Sequence, residues 1–112
     1  MHFVTALLAG LLLSFAAKAE MPETYSFISG DDLYDALSQE SMVLQGYTLG
    51  VVDALEHSSN PDECFVIPLR PDADQVIYAS FLKFWRDEAK RPASAVAAIT
   101  AMMQSEFSCE AK

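Results

Sequence analysis

The chain has 112 residues, with seven Lys and Arg against sixteen Asp and Glu, a formal charge of −9, two cysteines and 52% hydrophobic residues. A polypeptide this short buries roughly 60–70% of its unfolded surface, enough for one core and too little for two. The acid excess argues against phosphate-backbone binding, which takes clustered Lys and Arg, and against adhesion to an anionic membrane, so no nucleic-acid partner is expected. Ten of the acids fall between Glu20 and Glu63, where there is no Lys or Arg, whereas Arg70 to Lys112 carries six acids and six bases.

Residues 1–19 read as a secretory signal peptide. Phe3 to Ala17 is a run of apolar and small residues, followed by Ala17-Lys18-Ala19 and the polar Glu20-Met21-Pro22-Glu23, which places cleavage after Ala19. The run is short of the ~20 residues that span a bilayer. Cleavage would leave residues 20–112 as a single periplasmic domain with six bases, sixteen acids and no membrane contact. In that oxidising compartment the even cysteine count predicts a Cys64–Cys109 bridge, with an intermolecular bridge or two free thiols as the alternatives.

Along the remaining chain, Glu20 to Ser29 reads as an extended or loosely held arm, with Tyr25, Phe27 and Ile28 available to dock on a core. Ser29-Gly30-Asp31-Asp32 supplies N-cap chemistry for a short helix over Leu33 to Leu37. Glu40 or Ser41 opens a longer helix to about His57, with Leu44, Tyr47, Thr48, Val51 and Leu55 on its apolar face. Gly46, Gly50 and Ala54 form a second stripe. Two glycines inside a helix cost about 1 kcal/mol each relative to Ala, which points to close approach of another helix. Ser58 to Glu63 is a turn-rich stop, and Cys64 to Leu69 is a short buried extended segment.

Asp72 with Gln75 resembles a capping box opening a helix to about Glu88, with Val76, Ile77, Phe81, Phe84 and Trp85 inward and Tyr78 and Leu82 widening the stripe. Pro92 sits where a last helix begins, its inner face marked by Val96, Ile99, Thr100, Met103 and Phe107. The expected fold is all-α, a small bundle of four or five helices.

Catalytic chemistry is poorly supplied. After the leader the sole histidine is His57, at a helix end where the dipole alone favours it. Asp72-x-Asp74 fails as a calcium loop, because the next ligand, glycine and closing acid would fall on Val76, Ile77 and Lys83. The two cysteines lack the clustering of structural zinc sites, and no phosphate loop or nucleophile elbow is present. Asp31-Asp32 and Asp62-Glu63 read as caps and solvated turn residues, and Phe81, Phe84 and Trp85 as core. No enzymatic activity, metal or cofactor is expected.

The run Gln45-Gly46-Tyr47-Thr48-Leu49-Gly50-Val51-Val52-Asp53-Ala54 resembles the Gly-Tyr-x-x-Gly-x-x-Asp-Ala helix of the Rap/Tai immunity proteins, which protect bacteria against type VI secretion amidase effectors. The resemblance covers most of residues 20–112. Gly30-Asp31-Asp32-Leu33 is similar to the family's opening helix, Gln75 and Phe84-Trp85 fall in its third, and Pro92-Ala93 opens its last. Phe107-Ser108-Cys109 is similar to its terminal Phe-Pro-Cys, while Cys64 and Pro68 stand further apart than its usual Cys-x-Pro. Where members commonly carry a second cysteine pair, this chain has Leu37 and Leu44. The resemblance implies a helical, often dimeric periplasmic protein that binds a cognate peptidoglycan amidase effector and occludes its active site.

On that reading the turn from Ser58 to Glu63 and the piece to Leu69, with Asn60, Asp62, Glu63 and Phe65, would be the part that meets the effector, held by Cys64. The alternative from another class is a periplasmic acid-stress chaperone of the HdeA kind, also small, helical and tied by one bridge. Its motivation is the acid-rich composition, which turns strongly positive as carboxylates protonate near pH 2. An envelope structural subunit is a third reading.

Overall fold

In the computed structural model, which describes residues 26–57 and 64–109, four α-helices carry the fold: α1 (Gly30–Ser38), α2 (Met42–Glu56), α3 (Ala73–Phe84) and α4 (Ala95–Glu106). The chain is all-α as expected, with a 3-10 turn at Glu88–Lys90 and, among the described residues, no strand beyond an isolated antiparallel bridge between Phe65 and Ser108. The expected signal peptide, Tyr25 and the turn from Ser58 to Glu63 lie outside the described residues.

The first two helices start and stop where local chemistry dictates. Ser29 caps α1 by accepting from the Asp32 N–H at 3.0 Å, and Ser41 caps α2 by accepting from the Leu44 N–H at 3.4 Å. Between them Glu40 takes a left-handed φ of 57°. The Ser41 N–H donates to the Ala36 carbonyl and the Glu40 N–H to the Leu37 carbonyl, which is the paired closure of a Schellman motif. Ser41 thereby ends one helix and begins the next.

The core gathers around α4, which packs against all three other helices. Leu33 and Leu37 of α1, Thr48 and Val52 of α2, Ile77, Tyr78 and Phe81 of α3, and Ala95, Ala98, Ile99, Met102 and Met103 of α4 are buried. Leu37 sits inside this core and Leu44 packs against it. Thr48 is satisfied by donating to the Leu44 carbonyl at 2.8 Å. The Cys64–Cys109 bridge is formed, beside the Val66 N–H to Phe107 carbonyl bond that holds the extended piece against the C-terminus.

Several expectations are corrected. Ile28 docks, half-buried, with its carbonyl accepting from the Ala95 N–H, but Phe27 is 90% exposed. The extended segment does not bury Leu69, which is fully exposed. Asp72 stands at the start of α3 without a side-chain capping bond; its carboxylate is held by the Arg70 guanidinium instead. Helix α3 ends at Phe84, short of Glu88, and Phe84 lies at the rim, edge-on to Trp85.

The early stop has an identifiable cause. Arg91 donates to the carbonyls of Trp85 at 2.7 Å and Arg86 at 3.2 Å. The Ala89 N–H, which a continuing helix would give to Trp85, turns to the Asp87 carboxylate. Helix α4 begins at Ala95, capped by Ser94, because the Pro92 carbonyl is packed onto α1 at Gly30. Its buried face is broader than expected and leaves Val96 outside, Thr100 and Phe107 half-buried, and Ala95, Ala98 and Met102 inside. A helix at the centre of a bundle meets neighbours on several sides.

A candidate partner-binding surface on α2

Helix α2 carries the family-like motif, and its two sides differ. Thr48 and Val52 point into the core, and Leu44, Tyr47, Val51 and Leu55 are half-buried around them. On the opposite side Met42 is 83% and Val43 78% exposed, and Gly46, Gly50, Asp53 and Ala54 are exposed with them. Sequence reasoning expects the glycine stripe to admit another helix, but a Cβ built at Gly46 or Gly50 meets nothing within 4 Å. No close approach within the described chain accounts for either glycine. Each still costs the helix about 1 kcal/mol relative to Ala.

Beside this stripe lies a groove of about 460 Å³. Helices α2 and α3 each lean on α4 more than on one another, which leaves an apolar trough between them. Leu49, Gly50 and Val52 form one wall; Ile67, Ala73 and Ile77 form the other. Asp53 lines it from α2 and Asp74 from α3. At the opposite end the two helices are pinned, where the Tyr78 hydroxyl donates to the Gln45 carbonyl at 3.4 Å. Burial pushes the Tyr78 phenol up, with Asp74 adding to the effect.

The C-terminal end of α2 is acidic. The His57 Nδ1 lies 2.8 Å from the Asp53 carbonyl, and that bond, with the Asp53 and Glu56 charges, raises the imidazole above its ordinary 6.5. Ligand atoms of Asp53, Glu56 and His57 lie within 4.8 Å of one another. All three stand exposed, and Glu56 already accepts from the Ile67 N–H at 3.3 Å, so the trio reads as a solvated helix end that ties down the following segment. Next to the groove, Arg70 and Asp72 form an exposed pair that lowers the Asp72 carboxyl and raises the guanidinium.

Of the residues expected to meet an effector, Asn60, Asp62 and Glu63 lie outside the described residues, and Phe65 is corrected: it is 6% exposed and bridged to Ser108. Phe65 fastens the segment to the core and offers no surface. Gly46, Gly50, Asp53 and Ala54 of the motif lie together on the open side of α2, and Tyr47 is half-buried at its edge. Sequence reasoning missed Met42, Val43 and Leu69 as surface residues and missed the groove. Met42 and Val43 precede Gly46 by four and three positions, the spacing that puts residues on one helical face, so a second apolar stripe was readable. Among the described residues, no helix is long and apolar enough to cross a membrane. No family model, curated protein or solved structure matches the chain.

Proposed function

We propose that the protein is an exported immunity protein that binds a cognate peptidoglycan amidase effector of a type VI secretion system in the periplasm and blocks its active site, without catalysis of its own. The order and spacing of the Rap/Tai-like segments support the reading. The observation that carries it is the open face of α2, where a motif helix spends two glycines and two exposed apolar residues on a surface its own core does not use. Such a face beside an apolar groove suits a protein contact.

The test is to mix the purified protein with an amidase effector sought among its neighbouring genes and follow peptidoglycan hydrolysis. Activity should fall to background at about one inhibitor per enzyme. An amidase that keeps full activity at a tenfold-scale excess (~10-fold) removes the proposal. The chaperone alternative draws on the exposed Phe27, Met42, Val43 and Leu69, and unchanged light scattering of an aggregating client at about pH 2 rejects it.

A further inference from the structure

We infer that the groove between α2 and α3 is the docking site for a segment of a protein partner that inserts one aliphatic or aromatic side chain and sets a lysine or arginine beside it. The floor is apolar, with Val52 and Ile77 each 1% exposed. The volume of about 460 Å³ accommodates a large side chain and lies in the range of specific ligand sites. One carboxylate from each helix, Asp53 and Asp74, faces the trough. The one basic residue of the segment leading into α3, Arg70, is occupied by Asp72. Asp53 stands 4.0 Å from the exposed His57 imidazole and Asp74 accepts from the Gln75 amide at 3.5 Å, exposed contacts that leave room for a lysine or arginine supplied by the occupant.

Charge complementarity also argues against a second copy as that occupant. A two-fold contact sets each patch against itself, so Asp53 would face the other copy's acidic α2. Between Glu20 and Leu69 the chain has no Lys or Arg to relieve that repulsion. Gly50 at the lip keeps the helix surface flat where an incoming backbone would lie, and fully exposed Leu69 extends the apolar surface nearby. The inference rests on the reading of the chain as an inhibitor of a protein and names where and with what chemistry the contact is made.

The test is an NMR titration of the purified, oxidised protein with two short acetylated peptides, one alternating leucine with lysine and one alternating leucine with glutamate. Gly46 and Gly50 amide signals should move with the lysine peptide and not with the glutamate peptide, while Gly30 stays still. Affinity should fall about fivefold or more between about 50 and 300 mM salt, and likewise in the double variant Asp53→Asn, Asp74→Asn. Gly50→Leu, checked for helicity, should abolish the shifts. Silence at millimolar lysine peptide overturns the inference, as does an equal response to glutamate, or Gly50 shifts that follow protein concentration alone. The amidase assay separates the two readings: peptide silence with inhibition intact removes the groove and leaves the function, and groove binding without inhibition does the reverse.

Discussion

At Gly30 an added methyl would overlap the Pro92 carbonyl oxygen, which is backbone and unable to rotate away. Gly30→Ala should therefore cost about 2 kcal/mol or more in chemical denaturation. Gly46→Ala should do the reverse and gain about 0.5–1 kcal/mol, because the new methyl meets no neighbour and the helix sheds a glycine. A loss of stability at Gly46 would show that something within the chain covers that face. His57 gives a second residue-level prediction. Its folded pKa is raised, first by the Asp53 carbonyl and then by the Asp53 charge. The associated stabilisation is present below the ordinary value of 6.5 and fades as pH rises through the folded value. NMR titration should give a midpoint above 6.5, and Asp53→Asn should remove the charge-dependent part of the shift while the carbonyl part remains. A midpoint below 6.5 would show that the bond to the carbonyl is absent in solution.

The caps of α1 and α2 were legible in sequence because Ser29 and Ser41 each act within three residues of themselves, although α1 runs Gly30–Ser38 and starts three residues before the expected Leu33. The end of α3 and the start of α4 were not: the first depends on the Arg91 side chain further along, the second on the Pro92 carbonyl packed against Gly30 of α1. Arg91, 8% exposed at its side chain, binds the Trp85 and Arg86 carbonyls, pairs with Asp31 at 3.3 Å and stacks on Tyr34 at 3.6 Å. The Trp85 indole N–H meanwhile reaches the Ala98 carbonyl at 2.8 Å. The link between α3 and α4 is thus stitched to both α1 and α4. Arg91→Ala should destabilise by about 2 kcal/mol, read from the denaturation midpoint, since it strips charged hydrogen bonds to the part-buried Trp85 carbonyl and to the exposed Arg86 carbonyl and Asp31, together with the stack on Tyr34. Arg91→Lys should recover only part of that, because an ammonium lacks the planar fork that serves three acceptors. Full recovery by lysine would reduce the role of Arg91 to its charge.

At the scale of the whole molecule, the Cys64–Cys109 bridge closes a loop of 45 positions, and the chain-entropy estimate for such a loop is about 4 kcal/mol. Reduction, or Cys64→Ser with Cys109→Ser, should lower Tm by roughly 20 °C for a domain of this size. A shift of a few degrees would mean that the Phe65–Ser108 bridge and the helix contacts already hold the C-terminus. The charge asymmetry also belongs to this scale. If the acidic half meets a basic surface, the association rate with the amidase should fall as salt rises, by about an order of magnitude between low and physiological ionic strength. A rate indifferent to salt in stopped-flow mixing would confine the asymmetry to solubility.

The all-α class, the capping serines of α1 and α2, the limits of α2 and the two cysteines available to pair were settled by sequence, because caps and helical periodicity act within about a turn of chain. Tertiary structure decided which sides of those helices are inside. The glycine stripe of α2 carries no mark of facing in or out, and only the way α2 and α3 both settle on α4 turns it to solvent and opens the groove beside it. Phe65 shows the same limit from the other direction. Its segment reads as extended and buried, but that Phe65 pairs with Ser108, 43 positions away, and so is lost as a contact residue follows from a register that sequence pattern does not carry at that distance.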